Sequence, residues 1–307
     1  MQIKTSALIG MGAIGTVYGS LLYKAFGEGF TVIAAKDRAQ KLRASGAVLN
    51  GSTFYPQIST PKAPAFSPDL IIICVKNTQL EEAIEDMRPF VGKSTLLLPL
   101  LNGITARDAL QKAFPDNTVF YGLTIGIDAI RHASGVTNTV DGTIQFGHAD
   151  NTVLAPEVPA VREYLSSADI HAEAPEDMLR AQWRKWMLNV GCNQVSAVTG
   201  AKMGQLVSIE TNLRLFHEAM LEVVALAQAC GVNLNEEDAR RMEDGMRSFP
   251  PNGKTSMLQD VEARRLTEVD SFAGTVLRLA KERGVAAPVN HVLYCLIKSI
   301  EQMYPAN

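Results

Sequence analysis

The stretch Ser6-Ala7-Leu8-Ile9-Gly10-Met11-Gly12-Ala13-Ile14-Gly15 decides the fold of the amino-terminal half of the chain. Its four leading residues predict a short buried strand, its glycines follow the spacing GxGxxG, and residues 13–26 have helical spacing. In such a turn the first glycine permits the bend, the second lets a pyrophosphate approach the backbone, and the third lets helix and strand pack closely. The helix amino terminus would add N–H donors and a positive dipole. We therefore predict dinucleotide binding by Gly10, Met11, Gly12, Ala13, Ile14 and Gly15, the alternative being a glycine-rich turn in another α/β fold.

The rest of the first half alternates short apolar runs with amphipathic stretches, which is the pattern of a parallel α/β sheet. Residues 119–147 differ, because Val, Ile and Thr alternate between glycines there, and we expect antiparallel hairpins. The elements expected before them are strands at 30–35, 69–75 and 95–98, and helices at about 38–45 and 79–87.

Helical spacing dominates the second half, where glycine and proline are confined to the joints between segments. This change in sequence pattern predicts a domain boundary near residue 174. We therefore expect an α/β Rossmann dinucleotide-binding domain at 1–174, followed by an all-helical domain at 175–307. The helices expected after the boundary cover 176–197, 209–231, 236–246, 257–283 and 289–303.

The end of the second predicted strand indicates which dinucleotide is bound. An enzyme that uses NAD usually places Asp or Glu there, where it holds the ribose 2′-hydroxyl. This chain has Lys36 and Arg38, two cations suited to a 2′-phosphate, and we predict that they bind NADP(H). Asp37 stands between them, and a shift of one residue would make it the ribose ligand of an NAD enzyme. A solvated helix start is the other interpretation of the two cations.

Composition excludes several classes of function. The 307 residues are 47% hydrophobic and 20% charged, which is ordinary for a globular protein, and the length predicts two domains. A formal net charge of −3 provides no basic field for nucleic acid or an anionic membrane. No signal peptide or long apolar span is recognisable, so we expect a soluble, cytoplasmic protein without nucleic-acid or membrane partners.

Cysteine and histidine are placed without any pattern typical of a metal site. The four cysteines form no CxxC pair, the five histidines are scattered, and no zinc site is expected. We interpret the cysteines as small buried hydrophobic residues in a reducing compartment. They are Cys74, Cys192, Cys230 and Cys295.

A row of polar residues occupies one predicted helix of the second half. Lys185, Asn189 and Asn193 recur every four residues among apolar neighbours, so they share one helix face. Such a row requires either solvent or a polar ligand, and spacing alone leaves both open. A second polar segment follows, in which Ser256 could cap a helix or offer its hydroxyl to a ligand, and Glu268 could pair with a lysine. A charged helix face is the simpler interpretation of most of that segment.

Taken together, these pieces resemble the ketopantoate reductase family (2-dehydropantoate 2-reductases) over nearly the whole chain. The resemblance rests on five segments in the right order and spacing. They are Gly10 to Gly15, Cys74-Val75-Lys76-Asn77-Thr78-Gln79, Leu101-Asn102-Gly103, Lys185…Asn189…Asn193, and Ser256-Met257-Leu258-Gln259-Asp260…Thr267-Glu268-Val269-Asp270.

The resemblance implies reduction of a 2-oxo acid to a 2-hydroxy acid with NADPH, on the route to pantothenate and coenzyme A, in a cleft between two domains. It implies that Lys185 is the general acid and that Glu268 holds or tunes this lysine. Asn189 and Asn193 would bind the substrate's hydroxyl or carbonyl and Ser256 its carboxylate. Lys76 and Asn102 would lie by the nicotinamide and its ribose. It also implies a homodimer.

Two positions depart from the family pattern, and both replace a polar residue by an apolar one. Leu101 stands where glutamine is common, and Met203 stands where an asparagine is often found. These changes favour, as an alternative, a related 2-oxo acid reductase or 2-hydroxy acid dehydrogenase with another branched or aromatic substrate, in some cases using NAD. A third hypothesis is a non-catalytic dinucleotide-binding redox sensor, although a sensor has no need of the proton donor Lys185.

Overall fold

The computed structural model describes residues 2–64 and 66–305, and the chain divides into two compact units, Met1–Leu179 and Arg180–Asn307. The first unit combines sheets with helices. Its strands are β1 (Ser6–Ile9), β2 (Phe30–Ile33), β3 (Ala47–Leu49), β4 (Ser52–Phe54), β5 (Gln57–Ser59), β6 (Leu70–Ile73), β7 (Leu96–Pro99), β8 (Tyr121–Ile125), β9 (Ile130–His132), β10 (Gly135–Thr137), β11 (Thr143–Gly147) and β12 (Ala172–Glu173). Its helices are α1 (Ala13–Phe26), α2 (Lys36–Ser45), α3 (Leu80–Met87), α4 (Ala106–Ala113) and α5 (Glu157–Ser166).

A five-stranded parallel sheet in the order β5-β2-β1-β6-β7 forms the centre of the first unit. The register sets Ile9 opposite Ile33 on one side and opposite Ile73 on the other, so these three strands end together. Alternate residues of each strand enter two separate apolar clusters, one containing Leu8 and Ile72 and the other Ile9 and Ile73. Since both faces are covered, the strands β1, β2, β6 and β7 are buried at every position and mainly apolar, which confirms the predicted α/β fold.

The predicted hairpins of residues 119–147 are present as parts of two smaller sheets. Strands β9 and β10 form an antiparallel hairpin in a sheet of order β4-β3-β10-β9, and β8 pairs antiparallel with β11 in a sheet of order β12-β11-β8. The hairpin of β9 and β10 matters for the site, because it carries Arg131.

In the second unit, the regular structure of residues 180–305 is entirely helical, as the sequence predicts. They are α6 (Met178–Thr199), α7 (Met203–Ser208), α8 (Glu210–Ala229), α9 (Glu236–Met246), α10 (Ser256–Glu262), α11 (Thr275–Arg283) and α12 (Pro288–Gln302). Among the described residues, no helix is long and apolar enough to span a membrane.

One predicted helix is wrong. The segment 257–283 is not continuous, because α10 ends at Glu262 and Arg264 has a left-handed φ of 52°. Helical structure resumes with a π-helical turn at Asp270–Gly274, which leads into α11. The residues between them leave the helix because their backbone bonds elsewhere, as shown for Thr267 below.

Two further expectations need correction. The helix cap near residue 256 is Thr255, whose Oγ1 accepts the Leu258 N–H at 3.2 Å, so Ser256 is the first helical residue. The cysteines are not all buried either, since Cys192 is buried, Cys74 and Cys230 are half-buried and Cys295 is exposed.

Candidate functional site

The glycine-rich turn lies between β1 and α1, as predicted, and the structure gives a reason for two of its glycines. Gly10 has φ +102°, and a Cβ on it would lie 2.6 Å from the backbone of Cys74 and Val75. A Cβ on Gly15 would lie 1.9 Å from the Gly10 carbonyl oxygen. Both positions therefore exclude any side chain, because the turn, the helix and the end of β6 are in direct backbone contact.

Gly12 has a different role in the same turn. It is the N-cap of α1 and supplies no side-chain hydrogen bond to the helix, and the first turn of α1 carries no acidic residue. A Cβ on Gly12 would meet only the Cys74 carbonyl oxygen, at 3.9 Å. The helix thus presents uncapped N–H groups and its positive dipole, with no side chain near the place of a Gly12 Cβ, and these features fit the pyrophosphate of a dinucleotide.

An arginine that the sequence did not single out reaches this turn. The Arg131 guanidinium, in β9, donates a hydrogen bond from Nη1 to the Met11 carbonyl oxygen at 3.0 Å. The two residues are 120 positions apart, and Arg131 is one of many exposed cations, so no sequence signal marks it. It adds positive charge beside the predicted phosphate site.

The predicted 2′-phosphate residues lie just after β2. Lys36 begins α2 with φ +48°, and Lys36, Asp37 and Arg38 are all exposed. Burial and Glu82 raise the pKa of the Asp86 carboxyl, and the nearby charges of Lys36 and Arg38 oppose that rise. The two cations therefore act on the same region, which is what binding of a 2′-phosphate would require.

Lys76 and Asn102 follow adjacent parallel strands, β6 and β7, at the edge of the sheet where β1 also ends. The Leu100 N–H donates to the Ile73 carbonyl oxygen at 2.8 Å, which joins the two loops. Asn77, a second residue that the sequence analysis did not assign, donates from Nδ2 to the Asn102 carbonyl oxygen at 2.7 Å. The loops that carry the predicted nicotinamide-side residues are thus held together at the carboxyl edge of the sheet, where ligands bind in open α/β folds.

In the second unit, a series of hydrogen bonds connects Asn189 and Asn193 of the predicted polar row with Ser256. Ser256 Oγ donates to Asn193 Oδ1 at 3.0 Å, and the Met257 N–H donates to the same oxygen at 3.2 Å. Asn193 Nδ2 then donates to Asn189 Oδ1 at 3.3 Å. The side-chain oxygens of Asn189 and Asn193 both accept hydrogen bonds from protein groups. The groups that these residues can offer a ligand are therefore mainly N–H donors. Such donors suit the oxygens of an oxo acid.

Lys185 stands one helical turn before Asn189 on α6, and its pKa is displaced. Burial lowers the pKa of its ammonium to about 8, although the Glu268 carboxylate acts in the opposite direction. Glu268 is brought to this part of α6 by the segment that leaves the helix after α10. The indole N–H of Trp186 donates to the Ser271 carbonyl oxygen at 3.1 Å, which joins α6 to that segment.

Within the second unit, the structure thus brings the predicted residues together. The chain of Ser256, Asn193 and Asn189 is directly bonded, and Lys185 and Glu268 interact electrostatically. Of the two unusual apolar residues, Leu101 is buried in the sheet's apolar cluster, and Met203 is half-buried, its N–H donating to the Gly253 carbonyl oxygen at 2.9 Å. No group of three or more His, Cys, Asp or Glu side chains suited to a metal occurs in the described part of the chain.

Comparison with family models gives matches across both units. A model described as "Ketopantoate reductase PanE/ApbA" matches residues 6–151, and one described as "Ketopantoate reductase PanE/ApbA C terminal" matches residues 177–301. A 2-dehydropantoate 2-reductase of Streptococcus pyogenes serotype M6 is 28% identical over 306 residues, which cover 96% of this chain and 97% of the relative.

Solved structures give the same fold. The crystal structure of 2-dehydropantoate 2-reductase from Methylococcus capsulatus superimposes with a TM-score of 0.85 at 26% identity, covering 99% of this chain and 98% of that one. A ternary structure of D-mandelate dehydrogenase with NADH and anilino(oxo)acetate has a TM-score of 0.87 at 24% identity, covering 97% and 99%. The second likeness is evidence for the fold alone.

Proposed function

Because the chain belongs to the ketopantoate reductase family of oxidoreductases, we propose that it reduces 2-dehydropantoate to pantoate with NADPH, a step of pantothenate and coenzyme A biosynthesis. The observation that carries this proposal is the polar face of α6. A lysine with a pKa of about 8 stands one turn from a row of amide donors, on the helix where the family resemblance assigns catalysis. The family uses a nicotinamide cofactor.

The chemistry requires a proton and charge stabilisation at the ketone oxygen, while the bound nicotinamide supplies the hydride to the carbon. The Lys185 ammonium stabilises the negative charge that builds on this oxygen and then donates the proton. Asn189 and Asn193 orient the oxo acid through amide N–H groups, and Ser256 binds its carboxylate by turning its hydroxyl away from Asn193 Oδ1. Glu268 keeps the lysine protonated near neutral pH, because its negative charge favours the ammonium form.

Cofactor binding is assigned to the first unit. The turn from Gly10 to Gly15 holds the pyrophosphate at the start of α1, and Lys36 and Arg38 bind the 2′-phosphate. Lys76 and Asn102, on the loops after β6 and β7, would lie by the nicotinamide and its ribose. This assignment is supported by the side-chain-free space above Gly12 and by the shared position of the two cations.

The pH dependence of the reaction follows from the lysine. In the direction of reduction Lys185 must be protonated, so kcat/KM should be constant at low pH and fall as pH rises through about 8. In the direction of alcohol oxidation the neutral amine is needed, and kcat/KM should rise over the same range. Initial rates in both directions across this range test the assignment, and two profiles of the same sign would contradict it.

The decisive experiment for the substrate is NADPH oxidation, followed by absorbance, with ketopantoate and a panel of other 2-oxo acids, repeated with NADH. We expect the highest kcat/KM with ketopantoate and NADPH. A preference for NADH would instead assign the adenosine ribose to Asp37. Absence of turnover with every 2-oxo acid would reject the proposed function.

A second candidate is a dehydrogenase for an aromatic or bulkier 2-hydroxy acid. It is favoured by Leu101 and Met203, which place apolar side chains where the family commonly has polar ones, and by the fold shared with D-mandelate dehydrogenase. Phenylglyoxylate, the oxidised form of mandelate, therefore belongs in the panel. Higher kcat/KM with this compound than with ketopantoate would select the second candidate.

We also propose that the protein is a homodimer. Helix α12 and the segment before the π-helical turn leave large apolar side chains exposed, which favours association with a second copy. Light scattering coupled to gel filtration measures the mass directly, and a monomer at micromolar concentration would reject the proposal. The exposed apolar residues are Leu266, Val292, Leu296 and Met303.

A further inference from the structure

Glu301 occupies an unexpected place in α12. The buried side chains of this helix are Asn290, Leu293, Ile297 and Glu301, so the acid continues an otherwise largely apolar stripe. Only 8% of Glu301 is exposed. A carboxylate at such a position is costly unless it is paired and hydrogen bonded, and its partners therefore indicate what it is there to hold.

Its partners lie on the segment that carries Glu268. Glu301 Oε1 accepts the backbone N–H of Thr267 and the Thr267 hydroxyl, both at 2.7 Å. Thr267 Oγ1 in turn accepts the Val269 N–H at 3.2 Å. One buried carboxylate thus fixes the backbone on both sides of Glu268, and Thr267 itself is only 4% exposed.

This segment needs external support, because it lies outside regular structure, between the end of α10 and the π-helical turn at Asp270–Gly274. Residues 263–266 are exposed and follow the left-handed turn at Arg264. On its carboxyl side Glu268 is held by its own carbonyl oxygen, which accepts the N–H groups of Ser271 and Phe272 at 2.9 and 3.2 Å. The bond from Trp186 to Ser271 then ties that side to α6. The bonds of Glu301 with Thr267 are the corresponding attachment on the amino side.

We propose that Glu301 is a positioning residue for the reaction, holding Glu268 beside Lys185 through its bonds with Thr267. The proposal rests on the roles that the proposed function gives to Lys185 and Glu268. Glu301 itself does not contact substrate or cofactor in this scheme. It determines where the carboxylate that tunes the general acid is placed.

The charged groups around Glu301 indicate that it acts by geometry. Lys298 Nζ lies 3.2 Å from Glu301 Oε2 and 3.2 Å from Asp270 Oδ2, so an ammonium neutralises both carboxylates locally. The Tyr294 hydroxyl donates to Asp270 at 2.9 Å. Burial and the negative charge of Glu301 raise the pKa of the Tyr304 hydroxyl. The carboxylate that acts electrostatically on Lys185 is Glu268.

The test measures the state of Lys185 without any substrate. Acetic anhydride acylates only the neutral amine, and peptide mass spectrometry gives the acylation rate of Lys185 against pH. In Glu301→Leu we expect the midpoint to move to lower pH, in the direction expected for Glu268→Gln, with kcat lower by about tenfold or more. Glu301→Gln should restore most of both, since its amide oxygen can accept both bonds from Thr267.

The matched control is Glu222→Leu. Glu222 also accepts backbone N–H bonds from α12, from Val289 and Asn290 at 2.7 and 2.9 Å, but it is not bonded to the segment of Glu268. We expect this variant to lose thermal stability with the Lys185 profile unchanged. If Glu301→Leu behaves in the same way, Glu301 is merely structural and the proposal is overturned.

Two further outcomes are informative. Equal shifts in Glu301→Gln and Glu301→Leu would mean that charge, not position, is responsible, and this too overturns the proposal. If Glu301→Leu does not fold, Thr267→Val removes the hydroxyl bonds to Glu301 and from the Val269 N–H and keeps the backbone N–H bond to Glu301. A smaller shift in the same direction is expected, and an unchanged profile rejects the proposal. Since the acylation assay needs no turnover, failure of the proposed substrate leaves this test intact.

Discussion

The glycine-rich turn of the first unit and the polar face of α6 in the second are built in opposite ways. The turn is made of backbone, and Gly10 and Gly15 are required because any side chain would collide with neighbouring main chain. The face of α6 is made of side chains, and its geometry depends on partners far away in sequence, such as Ser256 and Glu268. A substitution in the turn therefore acts by steric collision, whereas one on α6 acts by changing charge and hydrogen bonds.

The largest effect expected on the side-chain site is that of Lys185→Ala. Removal of the general acid should lower kcat by about 10²- to 10⁴-fold, while the dissociation constant for NADPH, measured by fluorescence titration, should stay close to that of the wild type. The control is Lys281→Ala, an exposed lysine in the last turn of α11, which should change neither quantity.

The same variant separates an enzyme from a redox sensor. If Lys185→Ala binds NADPH normally and the wild type turns over no 2-oxo acid, the sensor hypothesis gains support. If the variant loses NADPH affinity together with activity, Lys185 contributes to cofactor binding. The assignment of cofactor binding to the turn and of catalysis to the polar face would then be wrong.

Two glycines of the turn provide the next test. Gly15→Ala should cost about 3 kcal/mol or more of unfolding free energy, because its Cβ would lie 1.9 Å from the Gly10 carbonyl oxygen. Gly12→Ala should fold with almost unchanged stability, since its Cβ meets nothing closer than 3.9 Å, but should weaken NADPH binding about tenfold by filling the approach to the helix end. Thermal melts and cofactor titrations distinguish the two. A normal affinity in Gly12→Ala would place the pyrophosphate elsewhere.

Most of the fold could be predicted from sequence because its signals are local. Helix α1 and helix α9 have the predicted bounds, and the apolar strands β1, β2, β6 and β7 lie within a residue or two of their predicted positions. The interrupted helix after Glu262 could not be predicted, because the Thr267 N–H bonds with Glu301, 34 residues farther along the chain, and not with a helical carbonyl. Tertiary hydrogen bonds overrode a helical pattern there.

The candidate site shows the same limit. The turn was recognisable from six consecutive residues, and the row on α6 from its four-residue spacing. Arg131 and Glu301 were not identified and Asn77 was given no role, since each acts through contacts with residues distant in sequence. Glu301 did leave a weak signal, an acid on the apolar stripe of α12, which is recognisable once the partner is known.

A smaller effect on activity is expected from the two cations assigned to the 2′-phosphate, Lys36 and Arg38. Replacing both Lys36 and Arg38 by Ala should raise the KM for NADPH about tenfold to a hundredfold and leave that for NADH nearly unchanged, because only NADPH carries the 2′-phosphate. Lys41→Ala, an exposed lysine farther along the same helix, is the matched control. Equal loss for both cofactors would show that the two cations support the helix and do not read the phosphate. In that case Asp37 becomes the candidate ribose ligand.

The smallest expected effect concerns stability and needs no assay of activity. The pKa of Lys185 falls from 10.5 to about 8 through burial, so the folded state disfavours the ammonium, and this cost is fully present below pH 8. Lys185→Met should therefore be more stable than the wild type near pH 7, by about 1–2 kcal/mol, and the difference should fade as pH rises from about 8 to 10.5.

Lys298→Met provides the contrast for this stability measurement. Burial lowers the pKa of Lys298, but its bonds to Asp270 and Glu301 outweigh burial and raise it, so this ammonium stabilises the fold up to its unfolded pKa. Its replacement should lower the melting temperature at pH 7, opposite in sign to Lys185→Met. Melting curves of both variants at several pH values measure this. If both variants are destabilised alike, the Lys185 ammonium stabilises the folded state. That result would contradict a lowered pKa for Lys185 and would remove the evidence that the polar face of α6 is catalytic.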